Sequence, residues 1–375
     1  MREASTYIRL LFSGLLLSAV GGCIDPFNPP EIDNTDTFLV FDGYIQANGT
    51  DTSWIRLSRT QNVHDPSAPV KESNAGIKVE NENGEAFVFL PAPSPHEAGL
   101  YYLPPVNLDV SQNYRLSITL SDGKAYESDW QRFSVSPPID SVTYTVNGRD
   151  GVQIYVHTHD PANQTRFYKW TYEETWEYRA PLYSLYELIR FSVVPREIDI
   201  NQCWSSFNAT HINLFTTATL SQDLVRSHPI TYIPASTGKL LHMYSIIVHQ
   251  QALTREAYDY WTELARNNET NGSIFDPFPS QLSGNIRSVS DPKERVFGFF
   301  SGGVTQSQRI FVREYLGLYP ICFEVDTLPL GEELFETPYL IVGQVAESSS
   351  YIVAAPHCAD CRLQGGTIRR PPFWP

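Results

Sequence analysis

Pairs of histidines, cysteines and carboxylates are the side chains in this sequence whose spacing could support chemistry. His157 and His159 alternate along a segment of strand character, which places both imidazoles on one face, where they could chelate a divalent ion. The sequence identifies no third ligand, and histidines on strands are more often surface groups or hydrogen-bonded groups. We therefore predict no metal site and no cofactor.

The candidate catalytic groups lack the context that catalysis needs. Ser301 precedes two glycines but is not part of a G-x-S-x-G turn between a strand and a helix. The pairs Glu173-Glu174 and Glu332-Glu333 are adjacent in sequence, and neighbouring side chains on a strand point to opposite faces, so we expect both pairs to be solvated rather than to act on one glycosidic bond. Glycine motifs for phosphate or dinucleotide binding are also missing from the sequence. The sequence predicts no catalytic residues and a protein that is not an enzyme.

Four cysteines remain once Cys23 is set aside as part of an export signal. An even number of cysteines in an exported chain predicts two disulfides. Three pairings are possible, and we predict Cys358 with Cys361, which leaves Cys203 with Cys322. A redox role for the C-x-x-C segment stays open, whereas a zinc site would need a second ligand pair and the sequence has no other C-x-x-C.

The N-terminal segment has the pattern of an export signal with a lipid attachment site. Two arginines flank the segment before an apolar run from Leu10 to Val20, which is too short for a stable membrane anchor. Val20-Gly21-Gly22-Cys23 is similar to a bacterial lipobox, so residues 1–22 are predicted to be a signal peptide and Cys23 to carry acyl chains such as palmitate. An ordinary secretory signal with an incidental cysteine is the alternative.

Lipid attachment would anchor the protein to a membrane through its N-terminus, because several buried acyl chains hold far better than one. Ile24, rather than an aspartate, follows the cysteine, and by analogy with known sorting rules this favours the outer membrane. The face of that membrane stays open. Residues 23–36 are rich in proline, aspartate and asparagine and are predicted to be a tether.

Composition limits the partners and the fold. The chain has 375 residues, a formal net charge of −15 and no cluster of lysine and arginine, which excludes a phosphate-binding surface of the usual basic kind and makes nucleic acid an unsuitable partner. Only 18% of the residues are charged, and there are 27 prolines and 22 glycines, a composition that fits many strands joined by turns.

Alternating apolar and polar residues predict a mainly β protein with two domains. Short strands separated by turns predict an antiparallel sandwich over residues 37–137, and Pro137-Pro138 is the predicted boundary. A second β-rich domain is predicted over residues 138–350, followed by a cysteine-containing tail at 351–375. We expect both domains to be sandwich-like, of immunoglobulin or transthyretin type, with one accessory helix.

That helix is predicted over residues 254–267. Thr254 has the position of an N-cap, Leu253 and Tyr258 can form a hydrophobic staple, and apolar residues recur at helical spacing. A proline-stiffened loop at residues 272–286 follows. We predict that aromatic and proline residues of the helix and loop form a binding or packing block, which comprises Tyr258, Trp261, Phe275, Asp276, Pro277 and Phe278.

Two further aromatic segments have alternative interpretations. Trp170, Tyr172, Trp176 and Tyr178 alternate along one segment, where flat rings could stack on sugars, but core packing explains them equally well and is favoured. The C-terminal Pro371-Pro372-Phe373-Trp374-Pro375 could dock on a partner or fold back on its own domain, and the sequence does not decide between these.

The helix and loop segment also carries a family resemblance. Its motifs are Tyr258-x-Tyr260-Trp261, Gly272-Ser273-Ile274-Phe275-Asp276-Pro277, Gly284-Asn285-Ile286 and Gly298-Phe299-Phe300, and further agreement comes from Phe38-Leu39-Val40-Phe41-Asp42-Gly43, Asp160-Pro161 and Cys358-x-x-Cys361. Together they resemble a family of Bacteroidota outer-membrane lipoproteins, DUF4249, that is known as a domain of unknown function. The resemblance implies a gene typically encoded beside a TonB-dependent receptor, and it supplies no catalytic residues.

These observations predict a lipoprotein anchored in the outer membrane that acts as a non-enzymatic partner of a TonB-dependent transporter in nutrient uptake. The alternative is a surface adhesin or structural envelope lipoprotein that binds glycan or matrix by itself.

Overall fold

Strands dominate the structure because apolar and polar residues alternate with a period of two through much of the chain. The computed structural model describes residues 37–61, 65–269, 282, 284–317 and 319–375. In the segment Ser53–Arg59, for example, Ser53, Ile55 and Leu57 are buried while the two residues between them are exposed.

The described residues contain 26 strands. The first ten are β1 (Leu39–Gln46), β2 (Ser53–Arg59), β3 (Gly76–Asn81), β4 (Ala86–Val88), β5 (Leu90–Pro91), β6 (Leu100–Leu103), β7 (Asn113–Thr119), β8 (Ala125–Ser128), β9 (Gln131–Arg132) and β10 (Ser134–Val135). The next nine are β11 (Ile139–Asn147), β12 (Gly151–His159), β13 (Phe167–Arg179), β14 (Tyr186–Ile189), β15 (Ser192–Pro195), β16 (Gln202–Asn208), β17 (Asn213–Thr216), β18 (Leu224–Pro234) and β19 (Tyr244–Ala252).

The last strands are β20 (Ile286–Ser288), β21 (Val296–Phe297), β22 (Gly302–Val304), β23 (Gln306–Val312), β24 (Val325–Pro329), β25 (Leu340–Gln344) and β26 (Ser350–Ala354). The helices are α1 (Arg255–Glu269), α2 (Glu332–Glu336) and α3 (Pro356–Ala359).

Two sheets with the strand orders β10-β22-β1-β2-β6-β5 and β20-β8-β7-β3-β4 form what we call the first body. Both sheets contribute to one hydrophobic core, in which Ile55 and Leu57 of one sheet lie with Leu116 and Ile118 of the other. β20 and β22 come from much later in the chain, as does β21, which adds to the first of these sheets. Both β21 and β22 pair with β1 in parallel. The first body is therefore completed only after the chain has passed through α1.

A second pair of sheets, with the orders β11-β12-β18 and β16-β13-β19-β23, forms the second body. Its core again takes residues from both sheets, among them Val152 and Ile154 on one side and Trp170 and Ile246 on the other. Both bodies are thus sandwich-like, and the predicted mainly β class with sandwich domains is confirmed.

The third part, which we call the C-terminal module, comprises the hairpin β14–β15, the sheet β24-β26-β25, α2, α3 and the chain that follows. Arg190 and Phe191 form the hairpin turn with φ values of 48° and 64°. Two central residues with positive φ are typical of a type I′ turn, which usually contains glycine or asparagine. Because this turn contains neither glycine nor asparagine, the sequence does not predict the hairpin.

The disulfide pairing that we predicted is wrong. The bonds join Cys203 to Cys361 and Cys322 to Cys358, with Cα–Cα distances of 5.6 and 5.7 Å. Cys358 lies in α3 and Cys361 in the short 3₁₀ turn that follows, and the two side chains enter different small cores. The C-x-x-C segment therefore divides its cysteines between two partners that lie far away in sequence.

Helix α1 confirms the predicted accessory helix. Thr254 caps it, because its Oγ1 accepts a hydrogen bond from the backbone N–H of Ala257 at 3.2 Å, and Leu253 and Tyr258 lie in one apolar cluster. No helix in the described ranges has both the length and the apolar character to cross a membrane.

Residues Phe38–Pro375 form one compact unit. The domain boundary at Pro137-Pro138 stays a prediction, although the return of β20, β21 and β22 to the first body means that the described chain crosses between the two bodies more than once.

Candidate functional site

The described part of the predicted aromatic block is α1 and the surface on which it packs. Tyr258 and Trp261 lie on the inner face of α1, in a cluster with Phe167 of β13 and Leu214 of β17. Tyr258 contacts Phe167 with ring centroids 5.1 Å apart. The block therefore fixes the helix to the outer face of the second body's larger sheet.

Lys169 is an unusual cation within this block. Its Nζ lies 3.6 Å from the ring centroid of Trp261, close enough for a cation–π interaction. Burial lowers the pKa of Lys169 to about 8, and the negative charge of Asp42 in the first body opposes that shift. Sequence patterns gave no signal for this contact, because the two partners lie on a strand and a helix that are far apart along the chain.

Two glycines and an asparagine from the family motifs hold the returning chain in the first body through close backbone packing. A Cβ on Gly284 would lie 1.9 Å from the carbonyl oxygen of Gly298, and a Cβ on Gly298 would lie 2.2 Å from that of Phe41, so neither position admits a side chain. Asn285 then donates from Nδ2 to the carbonyl of Phe300 at 2.8 Å and accepts from its N–H at 2.7 Å. The side-chain amide of Asn285 thus makes the pair of hydrogen bonds with Phe300 that the backbone of a neighbouring strand would otherwise make.

The described half of the block acts in packing. Tyr258 and Trp261 hold α1 in place, and the motifs around Gly284 and Gly298 hold the chain against β1. The other predicted members, Phe275, Asp276, Pro277 and Phe278, lie outside the described residues, as does the predicted lipidation site Cys23. Their roles stay predictions.

The comparison with protein families decides the assignment. The model of the family described as "Domain of unknown function (DUF4249)" matches residues 24–309, which include this block. The chain belongs to the DUF4249 family. The matched range ends before Cys322, Cys358 and Cys361, so most of the C-terminal module of this DUF4249 protein lies beyond it.

Other comparisons add little. No curated protein matches this DUF4249 chain. A two-domain fibronectin type III segment of chicken tenascin is 9% identical over 58% of this chain and 93% of its own, with a TM-score of 0.17. A DUF4785 family protein from Legionella pneumophila is 9% identical over 51% of this chain and 56% of its own, with a TM-score of 0.19. These scores are too low to support an argument about fold or function.

The two strand histidines of this DUF4249 protein are engaged in separate hydrogen bonds. His159 Nδ1 lies 2.8 Å from Asp140 Oδ2, and His157 Nε2 lies 3.0 Å from Thr143 Oγ1. The part of the chain that the structure describes contains no group of three histidine, cysteine or carboxylate side chains that could hold a metal ion.

The adjacent carboxylates Glu173 and Glu174 do point to opposite faces, but only one of them is solvated. Glu174 is buried, where its Oε1 lies 2.7 Å from Lys239 Nζ and its Oε2 accepts from the hydroxyl of Tyr244 at 2.9 Å. The expectation that both would be solvated was wrong for Glu174, because a buried carboxylate is tolerated once a cation and hydrogen bonds satisfy it.

Glu173 belongs to a row of polar side chains that crosses β13, β19 and β23. Ser307 Oγ lies 2.7 Å from His249 Nδ1, and His249 Nε2 lies 3.6 Å from Glu173 Oε1. The nearby imidazole of His249 lowers the pKa of Glu173. The order of serine, imidazole and carboxylate is that of a nucleophilic triad.

Catalysis would also need donors that converge on an oxyanion. β13 and β19 each have a neighbouring strand on both sides, so their ladders occupy the backbone N–H groups. Residues His249 and Ser307 are directly opposite each other in the ladder. The row pairs polar side chains across neighbouring strands of the sheet.

The alternating aromatic residues of β13 are core residues, as favoured. Trp170 is buried in the core of the second body, and its ring stacks on that of Tyr168 at 5.4 Å. Tyr172 and Trp176 are partly buried against the same core, and Tyr178 is partly buried in a separate cluster with Cys203 and Cys361. Trp170 Nε1 donates to Gln250 Oε1 at 3.0 Å, so its polar atom is also satisfied. This packing agrees with the favoured core interpretation, and most clearly so for Trp170.

The C-terminal residues fold back onto the protein. Trp374 is buried and contacts Phe311 and Trp204 edge-on, at 5.7 and 6.5 Å between ring centroids. The guanidinium of Arg309 lies 3.6 Å from the ring centroid of Phe373. The structure thus decides the open alternative in favour of intramolecular packing.

A cavity of about 730 Å³ lies beside the linker at residues 134–138. Its polar groups are largely used within the fold. The carboxylate of Asp160 accepts from the backbone N–H groups of Ala162, Gln164 and Thr165, and Ser136 Oγ donates to the carbonyl of Gln250. Two of the polar side chains that line the cavity are therefore engaged within the fold.

Proposed function

We propose that this DUF4249 protein is a lipoprotein of the outer membrane that serves as a non-enzymatic partner of a TonB-dependent transporter during nutrient uptake. The lipid on Cys23 would hold the protein at the membrane, and a surface of the folded part would contact the transporter.

The disulfides are the observation that carries the export part of the proposal. Cys203–Cys361 and Cys322–Cys358 use every cysteine of the described residues. Structural disulfides persist in oxidising compartments outside the cytoplasm. They agree with a chain that is exported and cleaved before Cys23.

Exposed apolar side chains support the partner part of the proposal. Phe323 and Phe191, both in the C-terminal module, are 86% and 80% exposed. Ile321 and Ile198 are also largely exposed and belong to the same two chain segments. Large apolar side chains that are left exposed can mark a site of protein association.

Metabolic labelling with a clickable fatty acid tests the anchor. We expect the wild-type chain to be labelled and found in the outer membrane, and the variant Cys23→Ala to be unlabelled. Labelling that persists in Cys23→Ala, or wild-type protein that is never labelled, would contradict the lipid anchor.

Affinity capture from detergent-solubilised outer membranes tests the partner. We expect a β-barrel receptor of the TonB-dependent class to co-purify with the wild-type protein, and its yield to fall at least tenfold for the double variant Phe191→Ser, Phe323→Ser. The variant Val88→Ser, which changes an exposed side chain of the first body, is the matched control. The partner proposal fails if no such receptor is recovered with the wild-type protein.

A further inference from the structure

Two neighbouring cavities lie at the junction of the second body and the C-terminal module. Their volumes are about 220 and 270 Å³, and both are lined by Arg179 and His242. Arg179 is the last residue of β13, and His242 lies shortly before β19. Taken together the cavities reach the size range of small-ligand sites, which runs from about 300 to 1,000 Å³.

Two guanidinium groups and one carboxylate line the cavities, because Arg179 lines both, and Arg313 and Glu177 line the second. Arg179 Nε donates to Glu177 Oε1 at 2.6 Å, and Glu177 is buried. Burial lowers the pKa of His242, so its imidazole is neutral at pH 7. A guanidinium has five N–H donors, and the solvent-accessible side of Arg179 leaves donors for a ligand. The site thus has several hydrogen-bond donors, which favours a polar ligand that carries many oxygen atoms over an apolar one.

Asn201 contributes an acceptor that has no partner within the described chain. Its side chain is almost fully buried, at 1% exposure, and it lines the smaller cavity. Nδ2 donates to the carbonyls of Ala180 and Leu182 at 2.8 and 2.9 Å, which fixes the orientation of the amide. Oδ1 is buried and makes no hydrogen bond. An unpaired buried acceptor is costly, and a hydroxyl group of a ligand would satisfy it.

Exposed tyrosines surround the two cavities. Tyr319 is 59% exposed, yet its hydroxyl donates to the carbonyl of Leu241 at 3.2 Å and its ring contacts that of His242 edge-on at 5.7 Å. Tyr183 lines the same cavity and Tyr315 lines the other. Because Tyr319 is held by these contacts, a ligand that stacks on it would lose little side-chain entropy from the protein.

We propose that these cavities form a binding site for a carbohydrate. A sugar ring has an apolar C–H face that can pack on Tyr319, and hydroxyl groups that can both accept from Arg179 and donate to Asn201 Oδ1. A purely apolar ligand would leave the polar groups unsatisfied. The site does not require the lipid anchor, and neither Phe191 nor Phe323 lines it.

Isothermal titration calorimetry on the purified lipidated protein in detergent tests this site. The probes are glucose, galactose, mannose, maltose and cellobiose. We expect at least one of them to bind saturably with a dissociation constant of about 0.1–10 mM, in the weak range for ligands of this size. Tyr319→Ala should weaken that binding at least tenfold, whereas Tyr319→Phe should retain it within about threefold, because the ring supplies the contact surface.

Tyr232→Ala is the matched control, since Tyr232 is an exposed tyrosine of β18 that lines neither cavity. Thermal unfolding of each variant shows whether the fold is intact. The proposal is overturned if none of the five sugars binds saturably, or if Tyr319→Ala and Tyr232→Ala change the affinity equally. If no receptor is recovered in the capture experiment but sugar binding is unchanged, the proposed partner surface or anchor is contradicted. The sugar site is then still supported.

Discussion

In the first body, two sheets close over one large core, whereas in the C-terminal module a hairpin and three short strands cover two small ones. The first body contains no cysteine, and side chains such as Ile55, Leu57 and Leu116 are fully buried in it. In the module, the buried residues of the larger core are Leu334, Ile341 and Val353.

Two disulfides compensate for the small cores of the module. Cys203–Cys361 ties it to β16 of the second body, and Cys322–Cys358 ties its own segments together. Small domains that cannot bury enough apolar surface are commonly crosslinked in this way. The disulfides therefore stabilise the module even though apolar residues such as Phe191 and Phe323 are exposed and add little to its cores.

The largest expected effect comes from removing the disulfides. In the chain-entropy account, a crosslink across 158 residues stabilises the folded state by about 5 kcal/mol and one across 36 residues by about 4 kcal/mol. We expect Cys203→Ala, Cys361→Ala to lower the free energy of unfolding of the module by several kcal/mol. Hydrogen exchange followed by mass spectrometry should show faster exchange in β24 to β26 and unchanged exchange in β2 and β7. Equal acceleration in both regions would show that the two are not independent.

A core deletion should give the opposite pattern. Ile55 is fully buried in the first body, so Ile55→Ala removes packed methyl groups and should destabilise that body by about 2–5 kcal/mol. Val325→Ala, at an exposed position of β24, is the control and should change the free energy of unfolding by less than about 0.5 kcal/mol. Chemical denaturation measures both. Similar losses for the two variants would argue against the difference in core size.

Acid should lower the free energy of unfolding of the second body. Burial lowers the pKa of His228 from 6.5 to about 4, where it stacks on Trp170 and hydrogen-bonds Asn213. The unfolded chain therefore takes up a proton before the folded chain does, and the stability that the neutral imidazole supports is lost as pH falls from 6.5 towards 4.

We expect a loss of roughly 1–3 kcal/mol over that window, with hydrogen exchange accelerating in β13 and β18. The variant His228→Gln should lose less stability between the same two pH values. An identical pH dependence in both proteins would exclude His228 as the cause.

The smallest effect is expected for an apolar side chain that the module exposes. Phe191 contacts Phe335 at 5.6 Å between ring centroids but is mostly in solvent. Phe191→Ser should therefore change the free energy of unfolding by no more than about 0.5 kcal/mol. A loss of 2 kcal/mol or more in thermal or chemical denaturation would mean that Phe191 supports the fold rather than a contact with another protein.

Local patterns predicted much of the framework. Alternation predicted the strands, and the Thr254 cap with its helical apolar stripe predicted α1, because both signals depend on neighbours within a few residues. The hairpin β14–β15 escaped prediction because Arg190 and Phe191 lack the usual turn chemistry. The buried pair of Glu174 and Lys239 escaped it because their partnership depends on β13 and the turn between β18 and β19, which meet only in space.

The sequence by itself determined that the chain is mainly β, that one helix follows β19, and that its motifs place it with the DUF4249 proteins. Only the tertiary structure decided which cysteines pair, since Cα atoms 158 residues apart in sequence come within 5.6 Å only after the second body and the module have packed. It also decided that Tyr258 and Trp261 pack within the protein, and that Arg179, Asn201 and Tyr319 share a cavity. Such contacts depend on long-range packing, which a short stretch of sequence does not encode.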